Sequence, residues 1–333
     1  MVFKTGIIPF FISFCSAFII SRIGSRISLI DNPNERSSHS QPTPRGGGIG
    51  IWLSFMVVPF FLLPTSSFRF IEFAVVASLV GLFGLVEDCF NLSSKLRLAI
   101  QLSLSSVTVY LFIIPLTTFS SLHIFLFWVV FVTGTSNFYN FMDGINGIAG
   151  LTGIVGFGLI TFFSYFITNE PDIALMSISL VSACLGFLPF NFPKARVFMG
   201  DVGSVSLGFL FAFFVIKLSA TINIFLCSIM FLYTFYADAL VTIYYRWRQG
   251  ENLMKAHRSH LYQYMANELR LAHWKVTIIY AIAQLIVGFL SIIAFKNGLT
   301  WQVILFVMLG IVVLNVYNKV KKLKPASAKI NGR

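Results

Sequence analysis

The sequence predicts an all-α, polytopic membrane protein. Hydrophobic residues make up 57% of the 333 residues and charged residues only 11%, which is more apolar material than a soluble core needs. A membrane-spanning helix needs about 20 mostly apolar residues, and on that measure the chain holds about eleven such segments. They begin near Ile7, Ile49, Ile71, Leu98, Leu122, Ile148, Ile173, Val205, Ile224, Val276 and Trp301.

The distribution of basic residues predicts the orientation of these helices, because cytoplasmic loops hold the excess of Lys and Arg. If the odd-numbered loops and the C-terminal tail share one side, that side holds nearly all of the 24 basic residues. The exceptions are Lys4, Arg69, Lys217 and Lys296. We therefore predict an N-terminus outside and a C-terminus inside. Residues 1–318 are predicted to form one transmembrane domain with cytoplasmic loops, and residues 319–333 a basic cytoplasmic tail.

The net charge of +12 is thus predicted to lie on the cytoplasmic face. Such a face attracts anionic membrane lipids and polyanionic soluble substrates. Membrane topology alone could also explain the basic tail. Nucleic acid is excluded as a partner in this interpretation, because no predicted soluble domain carries a basic groove.

The chain contains only 12 acidic residues, so their positions are informative. An acid at a helix centre costs roughly 2.5–3.5 kcal/mol on insertion, and acids at membrane edges are candidates for function. Five lie at predicted inner helix ends: Glu87, Asp88, Asp143, Asp201 and Asp238. Acids can simply cap helix ends in water, yet the predicted outer ends hold only Glu72, Glu170 and Asp172. We therefore predict that the five inner acids converge on one pocket.

Several carboxylates in one cavity repel one another unless a cation joins them. Oxygen ligands favour Mg²⁺ or Mn²⁺ over zinc, and an ion held by one or two carboxylates commonly binds a diphosphate. The stretch "VFMGDVGS" places Gly200 and Gly203 beside Asp201 at a predicted helix start, where backbone N–H groups can bind phosphate. "QPTPRGGGIG" places Arg45 before further glycines, although glycine-rich helix starts more often serve packing.

A loop with the sequence "AHRSHLYQ" follows the ninth predicted span. His257, Arg258 and His260 could form a phosphate clamp on a loop anchored by Asp238. A His pair at this spacing could also bind zinc or lie in water, and the residues alone leave these alternatives open.

Taken together, "NFYNFMDGINGIAG", "FMGDVGS", the acid pair Glu87-Asp88 and the His-containing loop resemble the polyprenyl-phosphate N-acetylhexosamine-1-phosphate transferases. This superfamily, glycosyltransferase family 4 in the bacterial sense, also holds the phospho-MurNAc-pentapeptide transferases of peptidoglycan synthesis. "AHRSHLYQ" is most similar to enzymes that initiate O-antigen or related surface polysaccharides. The resemblance implies transfer of a sugar-1-phosphate from a UDP-N-acetylhexosamine to undecaprenyl phosphate, with release of UMP. It also implies Mg²⁺ or Mn²⁺ and a site on the cytoplasmic face of a bacterial inner membrane.

The resemblance also implies roles for individual residues. Asp201 and Asp143 are the expected metal ligands, and Asp143 is also an expected catalytic residue. The other expected catalytic residues are Glu87, Asp88, His257 and His260. Phe198 is expected to stack on uracil, and the remaining expected substrate-binding residues are Arg45, Asn137, Asn140, Asn146, Asp238 and Arg258.

The chain departs from the family pattern at three places. Glu87 replaces the usual Asp, Asn146 replaces the second acid of a DGxD motif, and the His motif reads HRSH. The longer arm of Glu87 shifts its oxygens, and Asn146 removes a charge near the base or sugar. The sugar therefore stays open among N-acetylglucosamine, N-acetylfucosamine, N-acetylquinovosamine and others. The oligomeric state is open too, and a homodimer is among the states that the sequence allows.

Three alternatives follow from the same features. A transporter of an anionic solute would also have many spans and central acids, but it should show paired interrupted helices near the midplane. A membrane prenyltransferase would use Mg²⁺ on carboxylates clustered along one segment, whereas each segment here supplies one or two. The third alternative is a peptidoglycan-branch phospho-MurNAc-pentapeptide transferase, whose loop is richer in His.

Overall fold

The computed structural model describes residues 2–27, 29–33, 38, 41–62, 70–90, 92–113, 119–253 and 257–323. The last ten residues of the predicted basic tail lie outside these ranges. Within them the regular secondary structure is helical apart from one two-stranded antiparallel ribbon, in which Ile30 pairs with Pro44 and Asp31 with Thr43.

Thirteen α-helices follow one another along the described part of the chain. Their bounds are α1 Val2–Ile23, α2 Ile49–Leu62, α3 Phe70–Phe90, α4 Ser94–Phe112, α5 Phe119–Phe141, α6 Ile148–Phe166, α7 Pro171–Asn191, α8 Asp201–Leu218, α9 Ile222–Ile229, α10 Tyr233–Arg248, α11 Leu261–Gln263, α12 His273–Lys296 and α13 Leu299–Lys322. Gly24–Ile27 and Met230–Leu232 are 3₁₀ turns, and Tyr264–Glu268 is a π-helical turn that continues α11. The ribbon strands are β1 Ile30–Asp31 and β2 Thr43–Pro44.

Nine helical segments among the described residues are long and apolar enough to cross a membrane. One of them joins α9 and α10 through the 3₁₀ turn, as residues Ile222–Arg248. The two predicted spans outside this set are α2, which has only 14 residues, and α4, whose first turns carry Lys95 and Arg97. The predicted all-α polytopic membrane class is confirmed, while the number of eleven spans and the orientation stay predictions.

Helix α8 forms the centre of the bundle, with 89% of its apolar window buried. A helix that is hydrophobic all round is expected in such a position. Its phenylalanines pack against neighbouring helices, and the rings of Phe73 on α3 and Phe213 on α8 stack with centroids 3.7 Å apart. The start of α8, at Asp201, is thereby fixed in the middle of one end of the bundle.

The glycine-rich stretch before α2 lies against the start of α8. Gly47 and Gly48 donate backbone hydrogen bonds to the carbonyls of Phe198 and Met199, at 2.9 and 2.8 Å. A Cβ atom on Gly48 would lie 2.7 Å from the backbone nitrogen of Gly203, so this approach requires glycine. The N–H groups of Gly47 and Gly48 therefore serve packing rather than the predicted phosphate contact. Arg45, which precedes these glycines, lines the same cavity as Asp201.

Candidate active site

The first N–H groups of α8 are bound by the side chain of Asp88, which lies at the end of α3. Asp88 is 2% exposed, and its two carboxylate oxygens accept hydrogen bonds from the backbone nitrogens of Asp201 and Val202 at 3.0 and 3.1 Å. A carboxylate at this place satisfies the unpaired donors of the helix start and is stabilised by the helix dipole. The predicted binding of a phosphate by these N–H groups is therefore not what the structure presents, because Asp88 already occupies them.

The side chain of Asp201 points into a polar network at the start of α8. Its Oδ1 accepts a hydrogen bond from Asn140 Nδ2 at 2.8 Å, and its Oδ2 lies 2.9 Å from an Arg97 guanidinium nitrogen. The other end of the Arg97 guanidinium lies 3.1 Å from Glu87 Oε1. One arginine thus joins two carboxylates that come from α3 and α8.

Arg97 was not among the residues singled out from the sequence. It lies in the first turns of α4, within "SSKLRLAIQ", where a basic residue near a helix start resembles an ordinary inner-loop charge. The available signal was its register: buried polar residues, Gln101, Ser105 and Thr108, follow Arg97 at helical spacing on the same face of α4. We regard Arg97 as part of the candidate site because it contacts both Asp201 and Glu87.

A cavity of about 260 Å³ opens beside this network. Seven of the residues predicted for the site line it: Arg45, Asp88, Asn140, Asp143, Asn146, Phe198 and Asp201. Among the described residues, six other predicted ones do not line it: Glu87, Asn137, Asp238, His257, Arg258 and His260. The structure therefore brings the acids of α3, α8 and the α5–α6 connection together but leaves the His pair outside the cavity wall.

Asp143 lies half-buried in the α5–α6 connection. Loss of solvent raises the pKa of its carboxyl well above the ordinary value, and the nearby carboxylates of Asp201 and Asp88 raise it further. Acids that oppose one another's ionisation in this way form a site whose charge favours a cation.

Apart from His273, the potential metal donors that line the cavity are oxygens, chiefly of carboxylate and amide side chains, and such donors fit Mg²⁺ or Mn²⁺ better than Zn²⁺ or Cu²⁺. Within the described part of the chain, no group of three or more His, Cys, Asp or Glu side chains is placed to hold a metal ion by itself. Mg²⁺ in proteins is commonly held by only one or two carboxylates, with waters and substrate phosphates completing its shell. Asp143 and Asp201 are the two residues that could hold it here.

Asp238 on α10 is buried. It binds the loop that follows α10 and does not line the cavity. Its oxygens accept hydrogen bonds from the backbone nitrogens of Leu261 and Tyr262, at 2.8 and 3.1 Å, and from the Tyr280 hydroxyl at 2.6 Å. His260 Nδ1 lies 3.3 Å from Asp238 Oδ1. The predicted convergence of five acids on one pocket therefore does not include Asp238, because it caps the short helix α11 instead. Glu87 does not line the pocket either, and it is joined to Asp201 only through Arg97.

The two histidines of the loop pack against each other with ring centroids 4.8 Å apart. His260 is buried, and His257 Nδ1 lies 2.9 Å from the Ser259 hydroxyl. Burial lowers the pKa of His257 to about 4, with further lowering by His260 and Arg246. His257 is therefore neutral at pH 7 and can supply a hydrogen bond, but not a positive charge. Arg258 is exposed and lies 3.5 Å from Glu268.

Several further residues line the cavity although the sequence did not single them out, among them Asp31, Gln263 and His273. Gln263 lies on α11 directly beyond the His motif, and His273 is the first residue of α12. His273 Nδ1 accepts a hydrogen bond from the backbone nitrogen of Asn146 at 3.5 Å. In the sequence, Gln263 is distinguished only by its position three residues after His260, at the end of "AHRSHLYQ".

Two predicted asparagines have defined partners. Asn146 lines the cavity and donates from Nδ2 to the carbonyl of Pro193 at 3.3 Å. Asn137, one turn earlier on α5 than Asn140, donates from Nδ2 to Gln101 Oε1 at 2.6 Å and thereby joins α5 to α4. Asn140 therefore carries the α5 contribution to the site, while Asn137 has a packing contact.

A second, apolar groove of about 620 Å³ lies between α5, α9, α10 and α13. Its lining is almost wholly hydrocarbon and includes Phe127, Gly134 and Phe138 from α5, Tyr236 and Leu240 from α10, and Val313 from α13. Helix α5 is shared by both openings, because Asn140 and the Asp143 that follows the helix line the polar cavity. Since a helix rises about 1.5 Å per residue, Phe138 and Asn140 are only about 3 Å apart along its axis.

The chain is similar to known proteins over much of its length. The family model described as glycosyl transferase family 4 matches residues 70–219. A decaprenyl-phosphate N-acetylglucosaminephosphotransferase of Mycobacterium leprae is 26% identical over 241 residues, which cover 62% of this chain and 58% of that protein. An undecaprenyl-phosphate alpha-N-acetylglucosaminyl 1-phosphate transferase of Thermotoga maritima is 27% identical over 201 residues, or 59% and 60% of the two chains.

A phospho-N-acetylmuramoyl-pentapeptide-transferase of Streptococcus pyogenes is 28% identical over 231 residues, which cover 61% of this chain and 66% of that protein. The match thus spans about three fifths of the length of the mycobacterial and Thermotoga proteins. The resemblance drawn from the motifs is confirmed at the level of the superfamily.

Proposed function

Since residues 70–219 match the family model of glycosyl transferase family 4, we propose that the protein transfers an N-acetylhexosamine-1-phosphate from a UDP-sugar to undecaprenyl phosphate. UMP is released, and the product is an undecaprenyl-diphosphate sugar. The observation that carries this proposal is the meeting of Asp88, Asp143 and Asp201 around one cavity at the ends of spanning helices. We place this cavity on the cytoplasmic face of a bacterial inner membrane, where UDP-sugars are found.

Positioning and charge neutralisation are the expected sources of catalysis. A phosphate monoester has a second pKa of about 6, so the lipid phosphate is largely dianionic at pH 7 and needs little help from a base. Asp88 is unsuited to that task in any case, because both of its oxygens accept backbone hydrogen bonds. Its role in this proposal is to fix the start of α8, and hence Asp201.

Asp143 and Asp201 are the residues that would hold Mg²⁺ or Mn²⁺, whose charge would neutralise the diphosphate when bound. Arg97 and Arg45 bring further positive charge to the same cavity. Phe198 offers an aromatic face for the uracil ring, and Asn140 holds Asp201 in place through its 2.8 Å hydrogen bond. These groups are arranged before substrate arrives, which is what transition-state stabilisation requires.

The apolar groove suits the polyprenyl chain of the acceptor. It runs along α5 from Phe127 to Phe138, and the same helix leads directly to Asn140 in the polar cavity. A lipid whose chain lies in the groove would therefore present its phosphate near the acids, entering sideways from the membrane. A soluble acceptor would have no use for this groove.

Filling the groove should weaken binding of a long acceptor lipid. Gly134 lines the groove, and a Cβ there would meet no atom within 4 Å. In Gly134→Leu the new side chain would exclude part of the lipid chain from the groove, and each excluded CH₂ loses about 0.8 kcal/mol of burial free energy. We therefore expect the KM for undecaprenyl phosphate to rise roughly tenfold. The KM for the UDP-sugar should change little. Initial rates in detergent micelles with varied acceptor measure both constants.

Gly158→Leu is the matched control, because a Cβ at Gly158 also meets no atom within 4 Å and Gly158 lies on α6, away from the groove. Equal KM values for undecaprenyl phosphate in the two variants would contradict the assignment of the groove to the lipid chain.

The activity itself is tested with purified protein, undecaprenyl phosphate, Mg²⁺ and a panel of UDP-sugars. The panel contains UDP-N-acetylglucosamine, the UDP forms of N-acetylfucosamine and N-acetylquinovosamine, and UDP-MurNAc-pentapeptide. We expect UMP release with one N-acetylhexosamine donor, and a lipid product whose mass equals undecaprenyl diphosphate plus that sugar. Turnover of only the pentapeptide donor would indicate the peptidoglycan branch. Uptake of an anionic solute into proteoliposomes without any UMP release would indicate a transporter.

We further propose that the product enters O-antigen or related surface polysaccharide assembly. The support for this finer assignment is the loop "AHRSHLYQ", which carries two histidines and then Tyr262 and Gln263. Detection of a 6-deoxyhexosamine product in the donor panel would strengthen it.

A further inference from the structure

The last helix, α13, is held near both of its ends, and near its start Gln302 Nε2 donates to the Asn223 carbonyl at 2.9 Å. Only Gln302 and Tyr317 are buried among its residues. At the end near the candidate site, the ring of Tyr317 stacks on that of Tyr245 from α10, with centroids 5.0 Å apart and planes 3° from parallel. The Tyr245 hydroxyl donates to Asn318 Oδ1 at 2.7 Å. The final turns of α13 are therefore held in a defined position next to α10.

From this position α13 contacts the His-containing loop at two points. Lys321 Nζ donates a hydrogen bond to the Ser259 carbonyl at 2.8 Å and lies 4.4 Å from the centroid of the Tyr264 ring. The Tyr264 hydroxyl in turn donates to the carbonyl of Leu323 at 2.8 Å, directly after the helix ends. A charged donor on a carbonyl and a cation over an aromatic ring are each among the stronger polar contacts in proteins.

One residue between these two contacts, Gln263, lines the cavity. Asp238 holds the backbone nitrogens of Leu261 and Tyr262 from the α10 side. Gln263, next in the chain, is 8% exposed and lines the polar cavity. The segment from Ser259 to Tyr264 is thus fixed by α10 in its middle and by α13 at both ends. Its geometry at Gln263 depends on both helices.

We propose that Lys321 is a positioning residue that holds the Ser259–Tyr264 segment so that Gln263 contacts the UDP-sugar. The proposal rests on the proposed function of the cavity. It separates Lys321 from the neighbouring basic residues of α13, because Lys319 and Lys322 are exposed and fit the topological role of cytoplasmic charge. Lys321 instead has specific partners on both sides of the loop.

Lys321→Ala should raise the KM for the UDP-sugar about tenfold, the usual cost of losing a charged hydrogen bond. The KM for undecaprenyl phosphate should stay within about twofold, because the lipid groove lies elsewhere. Lys321→Arg should keep the KM for the UDP-sugar close to the wild-type value, since a guanidinium can also donate to Ser259 and lie over Tyr264. Lys319→Ala removes the same charge two residues away, on a different face of α13, and should behave as wild type.

A second variant tests whether Lys321 acts through Gln263. In a Gln263→Ala background, Lys321→Ala should raise the KM by less than about twofold further, because the residue that it positions is gone. Fully additive effects would overturn this step. Amide hydrogen exchange of residues 259–268 supplies a readout that does not depend on turnover, and Lys321→Ala should increase exchange there while Lys319→Ala should not.

These outcomes separate the two ideas. If wild-type protein released no UMP with any donor, the proposed function would fail while the exchange measurement still tested the contact between α13 and the loop. If the enzyme were active but Lys321→Ala and Lys319→Ala had equal UDP-sugar KM values and equal exchange, the positioning role would be overturned and the function would stand.

Discussion

Asp201→Asn is expected to lower kcat by roughly 100- to 1,000-fold, as is typical when one preorganised electrostatic group is removed from an active site. The carboxylate of Asp201 contacts both Arg97 and Asn140. An amide in its place keeps one acceptor oxygen but turns an N–H₂ group towards one of these donors, and it is a poor ligand for Mg²⁺. The Mg²⁺ concentration that gives half-maximal rate should therefore also rise. UMP release measured across a Mg²⁺ titration gives both quantities.

Glu72→Gln is the control for loss of one negative charge, because Glu72 is exposed at the opposite end of α3 from the candidate site. It should leave kcat and the Mg²⁺ dependence unchanged. The apparent melting temperature of each purified variant shows whether it is folded. Wild-type turnover by folded Asp201→Asn protein would remove Asp201 from the metal site.

The acids of the cavity were predictable because each follows or begins a long apolar segment. Asp88, Asp143 and Asp201 each mark the end of such a segment, and an up-and-down bundle brings alternate helix ends to the same side. Hydrophobic length alone is enough to make this prediction. Hydrophobic length also predicts the all-α class. Helices α2 and α4 are shorter or more polar than the nine described segments that are long and apolar enough to cross a membrane.

The partners of each group could not be read in the same way, because they come from distant parts of the chain. The N–H groups at the start of α8 were expected to meet a phosphate, yet Asp88, more than a hundred residues earlier, accepts from them. Gly47 and Gly48 likewise pair with Phe198 and Met199. A free helix start and an occupied one have the same local sequence, so only the fold distinguishes them.

The loop after α10 illustrates the same limit for side chains. The histidines predict a clamp over the substrate. In the structure, His260 and the backbone nitrogen of Leu261 instead contact the buried carboxylate of Asp238 on α10. A helical segment presents different faces at successive residues, so Gln263 reaches the cavity while His260 does not. The motif therefore predicts that this loop lies beside the site. Which residue of the loop lines the cavity depends on the hydrogen bonds between the loop and Asp238 on α10.

Asp238→Ala on α10 is expected to lower the free energy of unfolding by about 3–5 kcal/mol, as when one partner of a buried charged network is removed. The Asp238 side chain is 3% exposed and accepts from the backbone nitrogens of Leu261 and Tyr262 and from the Tyr280 hydroxyl. His260 and Thr242 also lie within hydrogen-bond distance of it. Alanine would leave these buried donors without an acceptor, and each such group costs about 1–3 kcal/mol. The apparent melting temperature in detergent should fall, and exchange of residues 260–268 should increase.

Tyr280→Phe provides the graded control, because it removes one donor and leaves the Asp238 carboxylate with its remaining partners. Loss of a single such hydrogen bond should cost only about 1 kcal/mol, so its melting temperature should lie much closer to that of wild type. Asp238→Asn should fall between the two, since an amide keeps one acceptor but opposes an N–H₂ group to the backbone N–H groups of α11. Equal melting temperatures for Asp238→Ala and Tyr280→Phe would mean that the α11 backbone finds other acceptors, and that Asp238 does not organise the loop.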